Sequence, residues 1–342
     1  MDALPGYSCS FLSVASSLRA ALPIASRSSW VRFDLAPWCD GRHCLRGAQV
    51  LEWKHKGVKT VKKTVCIAIF GLICVAATWS GTPQSKHVVL VVEENHSFDA
   101  VITKGGMPYL KSLAERYTVL TNYYGNHHPS IGNYFTMTTG QTISTNDSYK
   151  GVVHDENVVS QLIAANKTWK LYGDSLPEQG YVGDNQRPYV KKHFPAAYFA
   201  NVREDEKQRM NLVPVEQFAA DLQNNNLPDF SMVIPNLNHD AHDGSLKEAD
   251  AWLEEHIAPL LKNAEFQKNG ILIITFDESF KSDPDHGGGH ITTVVIGPLV
   301  KEHFNDTTFY QHESLFATLE ELLGLPRLKL VESVPIFQNA FK

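Results

Sequence analysis

Continuous apolar runs alternate with amphipathic stretches along the chain from residue 87 onward. Uninterrupted Val, Ile and Leu residues are typical of strands buried on both faces, and apolar residues spaced by three or four are typical of helices. The pattern predicts strands at residues 87–92, 118–123, 168–173, 229–235, 270–277 and 291–297. It predicts helices at residues 107–117, 131–140, 157–166, 215–224, 246–263 and 313–324.

The alternation of strands and helices predicts one α/β domain at residues 85–330. We expect a mostly parallel, doubly wound sheet with helices on both faces, because parallel strands are connected by crossover helices that cover the sheet. Residues 331–342 are predicted to form a C-terminal tail. Residues 176–210 combine prolines, glycines, aromatic residues and a charge cluster without periodicity, so we expect an insertion over one edge of the sheet.

A short apolar run far from the N-terminus has the flanks of a secretory signal. Three lysines between residues 59 and 63 precede the run at 65–77, and small residues follow it. This is the order of a signal peptide, and the run is short for a membrane span. We expect residues 1–50 to be a non-native or disordered leader and residues 51–81 to direct export to the periplasm or medium, without stable membrane association after cleavage. The alternative is an uncleaved signal anchor that holds the protein at a membrane.

Composition argues against nucleic-acid binding and excludes thiol chemistry for the body of the chain. Residues 1–80 carry a net charge of +6, whereas residues 81–342 carry −12. Binding to a phosphate backbone needs clustered basic residues, so nucleic acid is not an expected partner. A small phosphate ester remains possible, because a bound metal can neutralise its charge locally. All five cysteines precede residue 75, so the body has neither disulfides nor reactive thiols.

Four clusters of polar side chains directly follow predicted strands. They lie at residues 93–99, 127–134 and 236–243, and at the Asp277-Glu278 pair with the following loop 285–290. A single polar strand end is usually a solvated loop or a helix cap. These four, however, carry seven histidines and eight carboxylates. In a doubly wound sheet the carboxyl ends of the strands converge on one rim, so the sequence predicts a single site there.

The residue types of the clusters predict a metal-dependent site. Carboxylate, amide and imidazole groups suit a divalent cation such as Zn²⁺, Mn²⁺, Mg²⁺ or Ca²⁺. Ser130 precedes the predicted helix at 131–140, so its hydroxyl is expected at the positive end of that helix. A serine that touches a bound cation can lose its proton near neutral pH and act as a nucleophile. The alternative role for Ser130 is a plain helix cap.

In their order along the chain, the four clusters resemble the motifs of the phosphoesterase family, which contains bacterial and fungal acid phosphatases and phospholipases C of the alkaline phosphatase superfamily. The matching segments are Glu-Glu-Asn-His-Ser-Phe-Asp at 93–99, His-Pro-Ser-x-x-Asn-Tyr at 128–134, Pro-Asn-x-x-His-Asp-x-His-Asp at 235–243, and Phe-Asp-Glu at 276–278 with Asp-His-Gly-Gly-Gly-His at 285–290. The resemblance covers residues 87–325. This chain departs from the family at Gly132, where the family usually has proline.

The resemblance implies an alkaline-phosphatase-like fold and a two-step phosphoryl transfer to a small phosphate-ester substrate. The implied metal ligands are Glu94, Asn95, Ser130, Asp277 and Glu278. Ser130 would be the nucleophile that forms a phosphoserine, and His286 or His290 would protonate the leaving alcohol. The implied substrate-binding residues are Asn133, Asn236, His239, Asp240, His286 and His290, of which Asn133 would lie beside the transferring phosphoryl group.

Three functions compete within this resemblance. A phosphomonoesterase is favoured, because family phospholipases often carry additional C-terminal domains. The runner-up is a phospholipase C-type phosphodiesterase on the same scaffold, and the second alternative is a non-catalytic protein that binds metal or phosphate. A sulfatase C/S-x-P-x-R motif, an esterase G-x-S-x-G motif and a P-loop are absent. The metal, the physiological ester, the pH optimum and the oligomeric state stay open.

Overall fold

The computed structural model describes residues 81–342, which lie in one compact unit. The predicted leader at 1–50 and the predicted signal segment up to residue 80 lie outside these residues. Within residues 81–342, no helix combines the length and the apolar character needed to cross a membrane.

Eight strands form one mixed sheet in the described part of the chain. They are β1 (Val88–Glu93), β2 (Thr118–Leu120), β3 (Trp169–Gly173), β4 (Leu212–Pro214), β5 (Phe230–Ile234), β6 (Ile271–Phe276), β7 (Thr293–Ile296) and β8 (Phe304–Asp306). Their order across the sheet is β4-β3-β5-β1-β6-β7-β2-β8. Strand β7 is antiparallel to its neighbours β6 and β2, and the other strand pairs are parallel.

Nine α-helices lie between or after these strands in the described residues. They are α1 (Pro108–Arg116), α2 (Ile131–Thr139), α3 (Val158–Ala164), α4 (Ala200–Arg203), α5 (Glu206–Arg209), α6 (Glu216–Gln223), α7 (Leu246–Lys262), α8 (Phe266–Asn269) and α9 (His312–Leu322). Short 3₁₀ turns occur at Lys191–His193, Pro195–Tyr198, Asp285–Gly287, Lys329–Val331 and Gln338–Ala340, and one π-turn at Asp99–Thr103.

Strands β1 and β6 form the centre of the sheet. Every residue of both strands is buried, so the sheet is covered on both faces, as the uninterrupted apolar runs predict. Helices α1, α6 and α7 pack in one group, and α2 packs on α9 in another. The predicted α/β fold class is therefore confirmed, with β7 as the exception to parallel pairing.

Helix α2 is buried along its whole length. It packs against α9 and ends at Gly140, whose φ of +73° is a left-handed conformation that favours glycine. Its first residue is Ile131, so Ser130 stands at the point where the chain enters the helix. The fold thus holds Ser130 on a rigid, fully packed element.

The segment 176–210 connects β3 to β4 at one edge of the sheet and packs against the core. It contains α4, α5 and two 3₁₀ turns, and Phe194, Tyr198 and Phe199 are buried in the main core. Its Lys191–His193 turn contacts α2 rather than extending away from the sheet. The predicted tail 331–342 likewise packs on the core, where Phe337 and Phe341 are buried. Both segments lack periodicity because they fill gaps between regular elements.

Candidate functional site

Buried carboxylates meet at the carboxyl ends of β1, β5 and β6. Glu94, Asp240 and Asp277 have no exposed surface, and Glu278 is 5% exposed. Because β1 lies between β5 and β6, the residues that follow these strands are neighbours. The Glu94 N–H donates to the Asp240 carbonyl at 2.8 Å, and the Asn95 N–H donates to Asp277 Oδ1 at 3.3 Å. The convergence that the strand order predicts is therefore present.

The Ser130 hydroxyl lies among these carboxylates. Ser130 Oγ donates to Glu94 Oε2 at 3.1 Å and lies 3.4 Å from Glu278 Oε1. Ser130 has helical backbone angles, and its side chain makes no capping hydrogen bond. The first N–H of α2, from Ile131, instead donates to Asp147 Oδ1 at 3.2 Å. Ser130 therefore does not cap the helix, and its hydroxyl is directed at carboxylates instead.

A lysine approaches Ser130 from the side of segment 176–210. Lys192 Nζ lies 3.4 Å from Ser130 Oγ and donates to Asp147 Oδ2 at 2.8 Å. The Lys192 side chain is 15% exposed, so the fold holds it in place with little access to solvent. Asp147 therefore contacts both the helix start and the lysine, one with each carboxylate oxygen.

His193 lies between two of the buried carboxylates. Its Nε2 is 2.9 Å from Glu94 Oε1, its Nδ1 is 3.4 Å from Asp240 Oδ2, and the ring has no exposed surface. The ring also stacks on Tyr134 of α2, with centroids 5.0 Å apart. Burial alone lowers the pKa of His193, but the charges of Glu94 and Asp240 outweigh it and raise the pKa to about 9. His193 is therefore a cation that pairs with both carboxylates.

The carboxylates differ strongly in their protonation. Burial and the charges of Glu94 and Glu278 raise the pKa of Asp277 well above its usual value. Burial and Glu94 also raise the pKa of Glu278, to about 8. For Glu94, burial acts in the same direction, but His193 and Lys192 outweigh it and lower the pKa. The site thus has more carboxylates than its own cations can balance.

Glu278 connects the site to a second histidine. His128 Nδ1 lies 2.8 Å from Glu278 Oε2, and His128 Nε2 lies 2.9 Å from the Asp283 carbonyl. The other carboxylate oxygen of Glu278 contacts Ser130. Glu278 is thereby fixed on both sides, with one oxygen directed at the hydroxyl.

The donor set fits a hard divalent cation. Asp277 Oδ1 accepts from the N–H groups of Asn95 and Glu278, whereas Oδ2 is buried without a partner in the described part of the chain. Within residues 81–342, no group of three or more His, Cys, Asp or Glu side chains is arranged to hold a metal ion. Glu94, Asp277 and Glu278, three of the predicted ligands, are thus not gathered into such a group, and the fit rests on the chemistry of their oxygens and on the unpartnered Asp277 Oδ2. Oxygen donors of this type suit Mg²⁺, Ca²⁺ or Mn²⁺.

The Asn133 amide braces the chain that leads into Ser130. Its Oδ1 accepts from the N–H groups of Asn126 at 2.9 Å and His127 at 3.1 Å, and its Nδ2 donates to the His127 carbonyl at 2.9 Å. Asn133 has no exposed surface. A contact with a transferring phosphoryl group would therefore have to replace these hydrogen bonds.

Two of the predicted substrate-binding residues surround Asp174 rather than Ser130. His239 Nδ1 lies 2.6 Å from Asp174 Oδ2, and Asn236 donates to Asp174 Oδ2 and to Ser175 Oγ. His239 lines a cavity of about 730 Å³ together with Trp252. Asp240, in contrast, pairs with His193 inside the Ser130 cluster. The residues of the motif at 236–243 are thus divided between the surroundings of Asp174 and the Ser130 cluster.

The two histidines that are predicted to protonate the leaving alcohol lie among aromatic rings. His290 stacks between Phe98 and Tyr124, with centroids 4.8 and 5.0 Å away. Its Nε2 lies 3.0 Å from the Thr121 carbonyl. The exposed His286 lies 4.4 Å from the Tyr124 ring. Among residues 81–342, neither histidine makes a hydrogen bond or ion pair with Ser130 or its carboxylates.

Three residues of the site are not among those that the sequence predicts, namely Asp147, Lys192 and His193. The last two lie in Lys191–His193, a run of three basic residues in an otherwise acidic body. That run is the signal in the sequence that could have found them, because clustered cations in a buried context need anionic partners. Asp147 carries no comparable signal.

Comparison with known sequences finds a matching family model and named relatives. Residues 103–326 match the model of a family described as the phosphoesterase family. Over 285 residues, the chain is 30% identical to a phosphatidylinositol-3-phosphatase of Mycobacterium tuberculosis, covering 79% of this chain and 91% of that relative. Over 229 residues, it is 31% identical to a phosphate-repressible acid phosphatase of Penicillium chrysogenum, covering 64% of this chain. The chain spans about half of the Penicillium relative, at 55% of its length.

Comparison of folds gives an agreeing result. The structure is similar to that of a protein in the alkaline phosphatase superfamily from Vibrio parahaemolyticus, with a TM-score of 0.51 and 14% sequence identity. The alignment covers 74% of this chain and 70% of that protein. At this identity the similarity concerns the fold alone.

Proposed function

The chain belongs to the phosphoesterase family and is a hydrolase of phosphoric ester bonds, and within that class we propose that it is a metal-dependent phosphomonoesterase with a phosphoserine intermediate. The observation that carries this proposal is the position of Ser130 Oγ, which lies 3.1 Å from Glu94 Oε2 and 3.4 Å from both Glu278 Oε1 and Lys192 Nζ. A hydroxyl between an acceptor and a cation is arranged to become a nucleophile.

The reaction assigned to Ser130 has two steps. Ser130 Oγ forms a bond to phosphorus as the ester P–O bond breaks, and the leaving alkoxide takes a proton from solvent water. Glu94 Oε2, which already accepts the Ser130 hydrogen bond, is positioned to receive the hydroxyl proton. Water then attacks phosphoserine, which releases phosphate and returns the proton to Ser130.

The metal ligands of the proposal are Glu94, Asn95, Ser130, Asp277 and Glu278. A divalent cation supplies a positive charge that lowers the pKa of an adjacent hydroxyl and neutralises phosphate oxygens. The unpartnered Asp277 Oδ2 and the raised pKa values of Asp277 and Glu278 support a cation at this place. Mg²⁺, Ca²⁺, Mn²⁺ and Zn²⁺ are the candidates.

A monoester substrate is favoured by the relatives. Both sequence relatives described above are named phosphatases, one for phosphatidylinositol 3-phosphate and one as an acid phosphatase. Phosphatidylinositol 3-phosphate carries a terminal phosphate monoester, so a lipid monoester belongs to the proposed substrate range. Export of the enzyme to the periplasm or medium is part of the proposal and rests on the signal pattern at residues 51–81.

The proposal is tested by combining Ser130→Ala with a substrate panel. Removal of a nucleophile should lower kcat for p-nitrophenyl phosphate by about 10³-fold or more, whereas Ser112→Ala at an exposed serine should leave kcat unchanged. If Ser130→Ala retains more than a few per cent of turnover, the covalent route is wrong. Equal rates on phosphatidylcholine and on p-nitrophenyl phosphate would favour the phospholipase C alternative. Absence of any EDTA-sensitive activity would favour the non-catalytic alternative.

A further inference from the structure

Lys192 is the cation that directly contacts the proposed nucleophile. Its Nζ lies 3.4 Å from Ser130 Oγ. The same site contains three buried carboxylates, Glu94, Asp277 and Glu278. An incoming phosphate ester is itself an anion, so an ionised carboxylate such as Glu94, whose pKa is lowered, repels it. A fixed positive charge beside Ser130 therefore favours the approach of the ester, in addition to the charge that a bound cation would supply.

Asp147 occupies the donors that a phosphate would use at this place. Its Oδ1 accepts from the Ile131 N–H at the start of α2, at 3.2 Å, and its Oδ2 accepts from Lys192 at 2.8 Å. A helix N-terminus and a lysine together are a common phosphate-binding combination. One carboxylate that spans both donors resembles a phosphate with two of its oxygens bound.

Asp147 is the more exposed partner in its contact with Lys192. Its side chain is 31% exposed and belongs to the loop between α2 and α3, whereas Lys192 is 15% exposed and belongs to the packed segment. When an anion competes for the same donors, the more exposed carboxylate is the group that yields. Lys192 and α2 stay in place and exchange one anion for another.

We propose that Lys192 is a catalytic residue that binds the phosphoryl group beside Ser130, and that Asp147 holds the lysine in place until substrate displaces it. This inference rests on the proposed function, because it takes Ser130 as the attacking group. Lysine acts here as a point charge on the phosphoryl oxygens, which gain negative charge during transfer. Asp147 is a positioning residue that competes with the substrate.

The adjacent lysine provides a matched control. Lys191 is also largely buried, but its Nζ lies over the Tyr198 ring, 4.6 Å from the centroid. It has the same charge, length and local sequence as Lys192 without the contact to Ser130. A difference between Lys191→Met and Lys192→Met therefore reports the contact rather than the loss of one positive charge.

The experiment measures kcat, KM and the inhibition constant of inorganic phosphate for the full-length enzyme. Lys192→Met should lower kcat by about 10²-fold and raise the phosphate inhibition constant by about tenfold or more. Lys192→Arg should recover part of the phosphate affinity, and Lys191→Met should match the wild type. Asp147→Asn should lower the phosphate inhibition constant, because the competing anion is removed. Calorimetry of phosphate binding to EDTA-treated protein should show the same order of affinities.

Each contrary result overturns a defined part of the inference. Equal phosphate affinity in Lys192→Met and Lys191→Met removes the phosphate contact of Lys192. Weaker phosphate binding in Asp147→Asn shows that Asp147 only orients the lysine. An inactive Ser130→Ala beside a fully active Lys192→Met refutes this inference and leaves the proposed function intact. An active Ser130→Ala beside a Lys192→Met variant that has lost phosphate affinity refutes the phosphoserine route instead. Lys192→Arg keeps the test valid if Lys192→Met does not fold.

Discussion

His193 balances two buried carboxylates with a single charge. Glu94 Oε1 lies 2.9 Å from one ring nitrogen and Asp240 Oδ2 lies 3.4 Å from the other, and none of the three side chains is exposed beyond 1%. Glu94 is also the acceptor of the Ser130 hydrogen bond. The charge of His193 therefore keeps Glu94 ionised at the place where the proposed nucleophile needs an acceptor.

Replacement of His193 should destabilise the protein considerably. Removing one partner of a buried ion pair costs about 3–5 kcal/mol, because the remaining charge is buried without compensation. We expect His193→Gln to lower the free energy of unfolding of EDTA-treated protein by about 3 kcal/mol in urea at neutral pH. His239→Gln is the control, because His239 is 41% exposed and has one carboxylate partner, so its loss should cost less than about 1 kcal/mol. Equal losses in the two variants would contradict the role given to His193.

Residues that directly follow strands could be predicted, and those brought in by tertiary contacts could not. Glu94, Asp277 and Ser130 occur in segments whose position in the sheet follows from the apolar pattern. Lys192, in contrast, is 62 residues away from Ser130 in the chain. The contact depends on how an aperiodic segment packs, and no local preference encodes that packing. The hydrogen bonds of the Asn133 amide are local, since its backbone partners are only six or seven residues away. They depend on the shape of the turn that they stabilise.

At the scale of elements, the long buried runs determined what could be predicted. The six predicted strands and six predicted helices all occur, with ends shifted by a few residues. Strands β4 and β8 are not predicted, because β4 ends in a proline and two of the three residues of β8 are polar. Both are added beside strands that already exist, so their formation depends on the sheet rather than on their own sequence.

The loop after β6 is fastened to the chain that leads into Ser130. The Gly288 N–H donates to the Gly125 carbonyl at 3.1 Å, and the Gly125 N–H donates to the Gly289 carbonyl at 3.0 Å. The same loop carries Asp283, whose carbonyl contacts His128. Two backbones approach each other here without side chains between them, so the glycines serve packing within the protein.

Gly287→Ala should test this close approach. A Cβ at Gly287 would lie 2.1 Å from the Asn126 carbonyl oxygen, and its φ of +100° already disfavours other residues. Strain and overcrowding together predict a loss of about 3 kcal/mol in unfolding free energy. Gly105→Ala is the matched control, because Gly105 also has a positive φ, +71°, but its Cβ would meet nothing closer than 3.9 Å. We expect about 1 kcal/mol there from backbone strain alone.

Thermal unfolding of the two glycine variants provides the measurement. The melting temperature of Gly287→Ala should fall clearly further than that of Gly105→Ala, and its activity should fall because the loop positions His128 beside Glu278. Similar melting temperatures for both variants would show that the loop shifts away from Asn126 without cost.

At the scale of the whole molecule, topology and charge act together. Parallel strands direct their carboxyl ends to one rim, so the fold collects acidic side chains at one place in a body that already carries a net charge of −12. Mutual repulsion among Glu94, Asp277 and Glu278 therefore disfavours their ionised forms, and, beside burial, it contributes to the raised pKa values of Asp277 and Glu278. Lys192 and His193 offset part of this repulsion, and a divalent cation would offset the rest. The α/β architecture was predictable as a whole because its local signals all agree with it.

A cation that binds this site should stabilise the entire fold, because it binds the folded chain alone. At a concentration of 100 times the dissociation constant, such a ligand adds about 2.7 kcal/mol to the unfolding free energy. Mg²⁺, Mn²⁺, Ca²⁺ and Zn²⁺ are each added separately to EDTA-treated protein. We expect the ion that restores activity also to raise the melting temperature by several degrees. Asp277→Asn removes a carboxylate that burial and its neighbours already disfavour in the ionised form. The EDTA-treated variant should therefore be at least as stable as the wild type, yet gain little from the activating ion. An equal gain in both proteins would place the stabilising cation elsewhere.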